Sequence, residues 1–165
     1  MAERMPFFIT EEDLLSLHRM VGYGNASYHP GEYRDSLVAM SGNQHTFIAP
    51  EKVPEEMRRF FDDIEAVLSN NEPPAAAGIL HQRIVDIHPF QNGNGRVARL
   101  VMNSVLLHFG YWPLFVTAEW RDEYSEALER EQTGEPDGSF VNLISEKVAE
   151  NEMKHKSTKG EWRIE

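Results

Sequence analysis

One segment of the sequence, residues 88–99, concentrates the groups that could do chemistry. It holds, in order, His88, Gly93, Asn94, Gly95, Arg96 and Arg99. The glycines allow a tight turn that brings backbone N–H groups close to a bound molecule. A helix that starts at this turn would direct its open N–H groups and its positive end at the same place. With two arginines and an imidazole beside it, the turn predicts a polyphosphate site with a general base.

Each feature of this segment also has a structural explanation. Gly-rich turns between helices are common. Arg96 and Arg99 could pair with some of the 27 carboxylates of the chain. His88 could simply cap the C-terminus of a helix. Because all these features occur together within one short segment, the site is the favoured interpretation.

Two other kinds of site are not indicated. A Walker-type phosphate loop needs Lys and then Ser or Thr after the glycines, whereas Arg96 and Val97 follow them here. A zinc site is disfavoured, because His81 and His88 have no third ligand at a suitable spacing. Four other histidines are interpreted as ordinary surface or boundary residues: His18, His29, His108 and His155.

The residues around the segment follow helical periods. Pro89 predicts the end of one helix near His88, and the next helix is apolar nearly all round, which is typical of a central helix. Thr10, followed by three acidic residues, predicts a capped helix start. Two predicted helices start at Thr10 and Pro54, and two more run from Pro74 to Ile87 and from Asn94 to Gly110. A further helix is marked by Trp120, Tyr124 and Leu128, and the last one by Phe140, Ile144 and Val148.

Outside the helices, two short runs with β propensity predict a hairpin. They cover residues 37–40 and 45–48 and flank a Gly-Asn turn. We therefore expect an all-α fold with one short β-hairpin, in a single domain over residues 1–150. The tail over residues 151–165 has no apolar period, which is typical of a mobile C-terminus.

Composition limits the function further. The chain has 165 residues, 41% of them hydrophobic, which suits one globular domain, and it lacks Cys, which excludes disulfides and thiolate chemistry. A net charge of −11 disfavours a nucleic-acid backbone as partner. The sequence has no apolar run long enough for a bilayer and no secretory pattern at its start. We expect a cytoplasmic protein, or a delivered effector without a readable signal, that binds neither nucleic acid nor membrane.

The segment from His88 to Arg99 resembles the signature of the Fic family, His-x-Phe-x-(Asp/Glu)-Gly-Asn-Gly-Arg-x-x-Arg. Every fixed position agrees except Asn92, where the family has an acid. The similarity covers about residues 30–150, because further matches lie on both sides of the signature. They are Gly31-Glu32-Tyr33-Arg34, the predicted hairpin up to His45, Val53-Pro54, Met102-Asn103, Gly110-Tyr111, Arg121, Tyr124 and Leu128.

The resemblance implies a Fic-fold helical bundle and a protein adenylyltransferase, which moves AMP from ATP to a Tyr, Ser or Thr hydroxyl of a target protein. His88 would be the general base, a role that suits a group titrating near neutral pH. Phe90 would anchor the loop in the core. Backbone N–H groups and two arginines would bind the phosphates: Gly93, Asn94, Gly95, Arg96 and Arg99.

The resemblance implies two further parts of the site. The adenine would lie near Tyr124 and Gln132. The hairpin would be a flap that pairs with the main chain of the target, strand against strand, and so presents the hydroxyl to His88. The flap residues are Gly42, Asn43, Gln44, His45 and Thr46.

Asn92 is the main departure from the family. The family acid binds Mg²⁺, which prefers charged oxygens, whereas Asn offers one neutral carbonyl. ATP is expected as substrate, with Mg²⁺ or Mn²⁺ held weakly or by the phosphates alone. Two alternatives stay open: a degenerate Fic domain that only binds a nucleotide or a partner, and a Doc-like phosphotransferase toxin. Gly95 disfavours the toxin, because Doc-like relatives have Lys at that position.

A second departure concerns inhibition. Many Fic proteins carry an inhibitory helix with the pattern (Ser/Thr)-x-x-x-Glu-(Gly/Asn), and this sequence has no clean copy of it. Ser125 to Glu129 has the spacing but is followed by Arg130, and Ser145 to Glu150 is one residue too long. The expected partners are therefore a target protein, bound through the flap, and either an antitoxin-like inhibitor or a second copy of the chain.

Overall fold

The computed structural model describes residue 7 and residues 9–23, 29–38, 46–134 and 137–159. These residues form six α-helices and no β-strand. The helices are α1 (Glu11–Gly22), α2 (Val53–Asn70), α3 (Pro73–Ile87), α4 (Asn94–His108), α5 (Arg121–Thr133) and α6 (Ser139–Lys159), and one 3₁₀ turn, Pro50–Lys52, precedes α2.

The helix starts predicted from the sequence are confirmed. Thr10 caps α1, because its hydroxyl accepts the Asp13 N–H at 3.2 Å while the Asp13 carboxylate accepts the Thr10 N–H at 2.9 Å. Pro54 and Pro74 lie in the first turns of α2 and α3, where a missing N–H costs nothing. Pro89 follows the end of α3, as expected from its effect on the preceding residue.

The core is centred on α3 and α4, which lie against each other. Helices α2 and α6 pack on α3, α1 packs on α4, and α5 packs on α6. The prediction that α4 is central is confirmed, although Leu100 and Leu107 on its outer face are exposed. Its fully buried side chains are Val97, Ala98, Val101, Met102, Val105 and Leu106. The two central helices meet at the loop over residues 88–93, so the core fixes both ends of that loop.

The predicted hairpin falls largely on residues 39–45, which lie outside the described residues. The described residues on either side, Leu37 and Val38 before the gap and Thr46 to Ala49 after it, are not strands. Phe47, in the described stretch that follows, is buried.

The C-terminal segment is helical as far as Lys159, where α6 ends, although the sequence has no apolar period there. Contacts with the loop after α4 account for the helix there. The Trp112 N–H donates to the Glu152 carboxylate at 2.7 Å, and the Trp112 ring stacks on His155 at 4.4 Å. These contacts involve polar and aromatic side chains, so the apolar period does not reveal them. Within the described ranges, no helix is both long and apolar enough to cross a membrane.

Removing the Trp112 ring should loosen the end of α6. We expect Trp112→Ala to speed hydrogen exchange at the amides of residues 152–156 by about fivefold, because stacking and desolvation there contribute about 1 kcal/mol. Exchange at Val148 should not change. The matched control is Leu107→Ala, which removes an exposed apolar side chain from α4. Equal exchange in wild type and Trp112→Ala would show that the ring does not hold the helix.

Candidate active site

His88 lies at the junction between α3 and the following loop, in a left-handed conformation with φ 52° and ψ 59°. This conformation costs energy for a residue with a side chain, so the surroundings must hold it. The His88 Nδ1 lies 3.2 Å from the Val85 carbonyl oxygen. Since a carbonyl only accepts, Nδ1 carries a proton, and in the neutral ring the lone pair is then on Nε2. The ring also packs on Phe47, with centroids 4.0 Å apart. The geometry therefore presents Nε2 as the basic nitrogen.

Arg34 holds the backbone of His88 from outside the loop. Its Nε donates to the His88 carbonyl at 2.7 Å, and its own backbone N–H donates to the Pro89 carbonyl at 2.9 Å. Its Nη2 donates to the Ile48 carbonyl at 2.6 Å, just beyond the predicted flap. The side chain is only 5% exposed. Sequence reasoning gave Arg34 no role, because nothing in the sequence shows which carbonyls a distant arginine will reach.

The turn itself is closed by Phe90 and Asn94. The Phe90 N–H donates to Asn94 Oδ1 at 2.9 Å, and Asn94 Nδ2 donates to the Phe90 carbonyl at 2.8 Å. Both residues are buried, so the prediction that Phe90 anchors the loop in the core is confirmed. Gly93 has φ 82°, a conformation that only glycine adopts easily. The Asn94 side chain is thus a structural brace, a role that the sequence alone does not reveal.

The first turn of α4 supplies the backbone N–H groups expected to bind phosphates. The Arg96 and Val97 N–H groups donate to the Gly93 carbonyl at 3.0 Å each, which closes the helix start. The N–H groups of Asn94 and Gly95 precede any intrahelical acceptor. The Gly93 N–H donates to Asn92 Oδ1 at 2.6 Å. An anion that takes the Gly93 N–H must therefore displace the Asn92 side chain from it.

The two signature arginines lie in different surroundings. Arg96 is exposed, and its Nη1 donates to the Val21 carbonyl at the end of α1 at 2.6 Å. Arg99 is half-buried, and its Nη1 lies 3.4 Å from the Tyr124 hydroxyl oxygen. Both line a groove of about 340 Å³, together with Leu100, Leu114 and Phe115. The groove combines two cations with an apolar wall.

The residues predicted to lie near adenine contact different neighbours. Tyr124 is buried, and its hydroxyl bonds to His81 Nε2 at 2.8 Å. Burial lowers the pKa of His81 to about 3, with the nearby Arg99 charge as the smaller cause, so His81 stays neutral. Gln132 is half-buried, and its Nε2 donates to Asp86 Oδ1 at 3.2 Å. The Tyr124 hydroxyl thus contacts Arg99 as well as His81. The assignment of Tyr124 and Gln132 to the adenine stays a prediction.

The donors around Asn92 do not fit a resident Mg²⁺ ion. Asn92 is exposed, and its side-chain carbonyl accepts the Gly93 N–H. In the part of the chain that the structure describes, no three His, Asp or Glu side chains lie close enough to hold a metal. A divalent ion prefers one or two carboxylates besides phosphate oxygens. The protein alone therefore offers no magnesium centre here.

The structure describes only one of the five predicted flap residues. Of the flap residues, Gly42, Asn43, Gln44 and His45 lie outside the described residues, and Thr46 is exposed.

The interpretation of His18 as a surface or boundary residue is wrong, because its side chain is fully buried against Phe90. Its position on α1 shows helical periodicity, but periodicity does not reveal a polar partner in a loop far along the chain.

Comparison with known proteins is consistent with this geometry. Residues 8–106 match the Fic/DOC family. The Protein adenylyltransferase Fic of Nematostella vectensis is 37% identical over 149 residues, which cover 85% of this chain and 33% of the relative. The protein of the same name from Drosophila willistoni is 34% identical over 139 residues, covering 84% of this chain and 27% of the relative.

A solved structure shares the fold. A fragment of Fic-1 from C. elegans superimposes with a TM-score of 0.78 at 28% identity, covering 93% of this chain and 45% of that chain. The chain belongs to the Fic/DOC family. It spans about a third or less of the length of these two curated relatives.

The brace between Asn94 and Phe90 can be tested by substitution. Asn94→Ala leaves two buried backbone groups of Phe90 without partners, so we expect it to lower the free energy of unfolding by about 2–4 kcal/mol in urea titrations. It should also weaken ATP binding, because the loop loses its shape.

The control for this prediction is Met57→Ala, a buried change on α2 with a comparable expected loss of about 2–5 kcal/mol. Affinity for ATP should stay near the wild-type value in this control, measured where both variants are folded. If both variants lose ATP affinity equally, the effect is one of general stability and the local role of Asn94 is refuted.

Proposed function

We propose that this chain transfers AMP from ATP to a hydroxyl group of a target protein. The observation that carries the proposal is the orientation of His88, whose Nδ1–H is directed to the Val85 carbonyl in the last turn of α3. Nε2 is then the proton acceptor next to a set of phosphate-binding groups. A site that only bound phosphate would have no need of a base held in one tautomer.

The proposed reaction uses His88 as general base. The target hydroxyl gives its proton to Nε2 as its oxygen attacks the α-phosphorus of ATP. The new bond joins that oxygen to the α-phosphorus, the bond to the β-phosphate oxygen breaks, and pyrophosphate leaves. The N–H groups at the start of α4 stabilise the charge on the non-bridging oxygens. Arg96 and Arg99 would bind the phosphates farther along the chain.

ATP is the proposed substrate, with a divalent cation held by its own phosphates. The names of the curated relatives describe protein adenylyltransferases, which supports ATP and a protein target. Asn92 is a weak ligand for Mg²⁺ or Mn²⁺, so we expect transfer to need a high concentration of the metal ion. Tyr124 and Gln132 are proposed to lie near the adenine, with Tyr124 acting through Arg99.

The target is proposed to dock beside the segment over residues 42–46, as a strand against the predicted flap. The residues directly after this segment support the proposal, because Phe47 packs on the His88 ring and the Ile48 carbonyl accepts from Arg34. A peptide held there would lie close to His88. Inhibition by an antitoxin-like chain or by self-association stays a prediction.

A degenerate binding module is the second candidate, and Asn92 is the observation that favours it. With no carboxylate at this position, a nucleotide could bind without efficient transfer. Gly95 argues against a Doc-like phosphotransferase, because Doc-like relatives have Lys there. The two candidates differ in one measurable property, which is covalent labelling.

The base can be tested with α-³²P-labelled ATP. We expect wild-type protein to label a protein substrate or itself, and His88→Ala to reduce the labelling rate by about 10²–10⁴-fold, the usual contribution of a general base. The control His155→Ala removes an imidazole from α6 and should keep the wild-type rate.

Binding of ATP, measured by titration calorimetry, separates the two candidates. The affinity should be similar in wild type and His88→Ala, because the imidazole contacts the target hydroxyl and not the phosphates. Wild-type protein that binds ATP and transfers no label would support the degenerate module and refute the adenylyltransferase.

Restoring a carboxylate should ease the metal requirement. We expect Asn92→Asp to lower the Mg²⁺ concentration for half-maximal labelling by about tenfold, since a charged oxygen replaces a neutral one. Asn92→Ser, which keeps a neutral side-chain oxygen and adds no charge, is the matched control and should not lower it. A metal dependence that is identical in all three proteins would show that residue 92 does not face the metal.

A further inference from the structure

His18 is a fully buried polar side chain that no step of the proposed reaction uses. It lies on α1, and its ring contacts two segments far away in the sequence. His18 Nε2 is 3.0 Å from the Asn92 carbonyl oxygen, and His18 Nδ1 accepts the Gly31 N–H at 2.8 Å. The ring also stacks on Phe90, with centroids 3.7 Å apart and planes at 16°.

These two hydrogen bonds determine the state of the ring. A backbone N–H only donates and a carbonyl only accepts, so Nδ1 is unprotonated and Nε2 carries the hydrogen. Either the other tautomer or the imidazolium would set two donors against each other at Gly31. The ring is therefore a neutral connector with one donor and one acceptor, both engaged.

The bond to Asn92 matters because of where it acts on the loop. In a planar trans peptide the C=O and the following N–H point in opposite directions. Holding the Asn92 carbonyl toward α1 therefore directs the Gly93 N–H away from α1. That N–H is one of the groups expected to bind phosphate. A Cβ on Gly93 would lie 3.5 Å from the His18 ring, so the ring leaves little room for a larger residue at this position.

The hydrogen bond to Gly31 acts on the segment that holds the backbone of His88. Gly31 belongs to the turn that leads into Arg34, and Arg34 holds the His88 and Pro89 carbonyls. The His18 ring thus lies between the segment that fixes the base and the segment that fixes the phosphate-binding N–H groups. Since α1, the helix that contains His18, packs on α4, the core fixes the position of the ring.

We propose that His18 is a positioning residue that sets the direction of the Gly93 N–H by binding the Asn92 carbonyl through Nε2. The hydrogen bond to Gly31 keeps the ring in the tautomer that the bond to Asn92 needs. His18 touches neither ATP nor the target hydroxyl. The consequence for catalysis rests on the proposed function, whereas the orientation of the loop does not.

The test separates the two hydrogen bonds with a matched pair of variants. In Gln the amide nitrogen is as many bonds from Cβ as Nε2 is in His, so His18→Gln can still donate to the Asn92 carbonyl. In Asn the amide group reaches only the Nδ1 position, so His18→Asn can serve Gly31 but not Asn92. Each variant loses the aromatic stacking and one hydrogen bond, which makes their expected stabilities similar.

Two readouts are needed. The first is the ¹H–¹⁵N resonance of the Gly93 amide in the protein without ATP, which reports the peptide plane. We expect it to stay near the wild-type position in His18→Gln and to move in His18→Asn. The second is ATP affinity by calorimetry, which should fall about 3–10-fold more in His18→Asn than in His18→Gln, the usual value of one hydrogen bond. Thermal unfolding of both variants provides the stability comparison.

Two results would overturn the proposal. If both variants move the Gly93 resonance and lower the ATP affinity by the same amounts, His18 is only a packing residue. Proton-coupled ¹⁵N spectra of the wild-type imidazole need no variant, and a proton on Nδ1 would refute the arrangement directly. If the wild type transfers no label while the expected differences between the variants hold, the proposed function fails and the positioning role of His18 stands.

Discussion

The whole site depends on one constraint, which is the reversal of the chain between the two central helices. Helices α3 and α4 pack against each other, so the six residues from 88 to 93 must turn the backbone sharply. Two positions take left-handed conformations, His88 and Gly93. The reciprocal hydrogen bonds between Phe90 and Asn94 close the turn in the core. The same geometry that completes the fold therefore brings an imidazole and a set of open N–H groups together.

The turn is held from outside by segments that are distant in the sequence. Arg34 binds the carbonyls of His88 and Ile48, and His18 bridges Asn92 and Gly31. Each of these groups satisfies backbone atoms in or beside the turn, where a buried group without a partner would be costly. The cost of the left-handed His88 is thus offset by surrounding hydrogen bonds, as expected where strain is stored at a functional site. The chemistry of the site rests on this polar framework as much as on the apolar core.

Much of the site can be predicted from the sequence because its groups are close together along the chain. The turn, the start of α4 and the placement of His88, Arg96 and Arg99 beside the turn all follow from local rules about glycine, proline and helix ends. Asn92 is also recognisable as a departure, and its engaged side-chain carbonyl agrees with a poor metal site. The contacts of Tyr124 are not predictable in this way. Its hydroxyl bonds to His81 and lies near Arg99, because its side of α5 faces the core.

Local sequence is enough to predict the helices, their starts, the central position of α4 and the chemical character of the loop, because these properties depend on neighbours within a few residues. The continuation of α6 to Lys159, the burial of His18 and the role of Arg34 emerge only when the chain is folded. In each case a side chain bonds or stacks with a partner many residues away, and local periodicity carries no information about that partner. The tautomer of His18 has the same origin, since it is set by backbone groups that only the fold brings near.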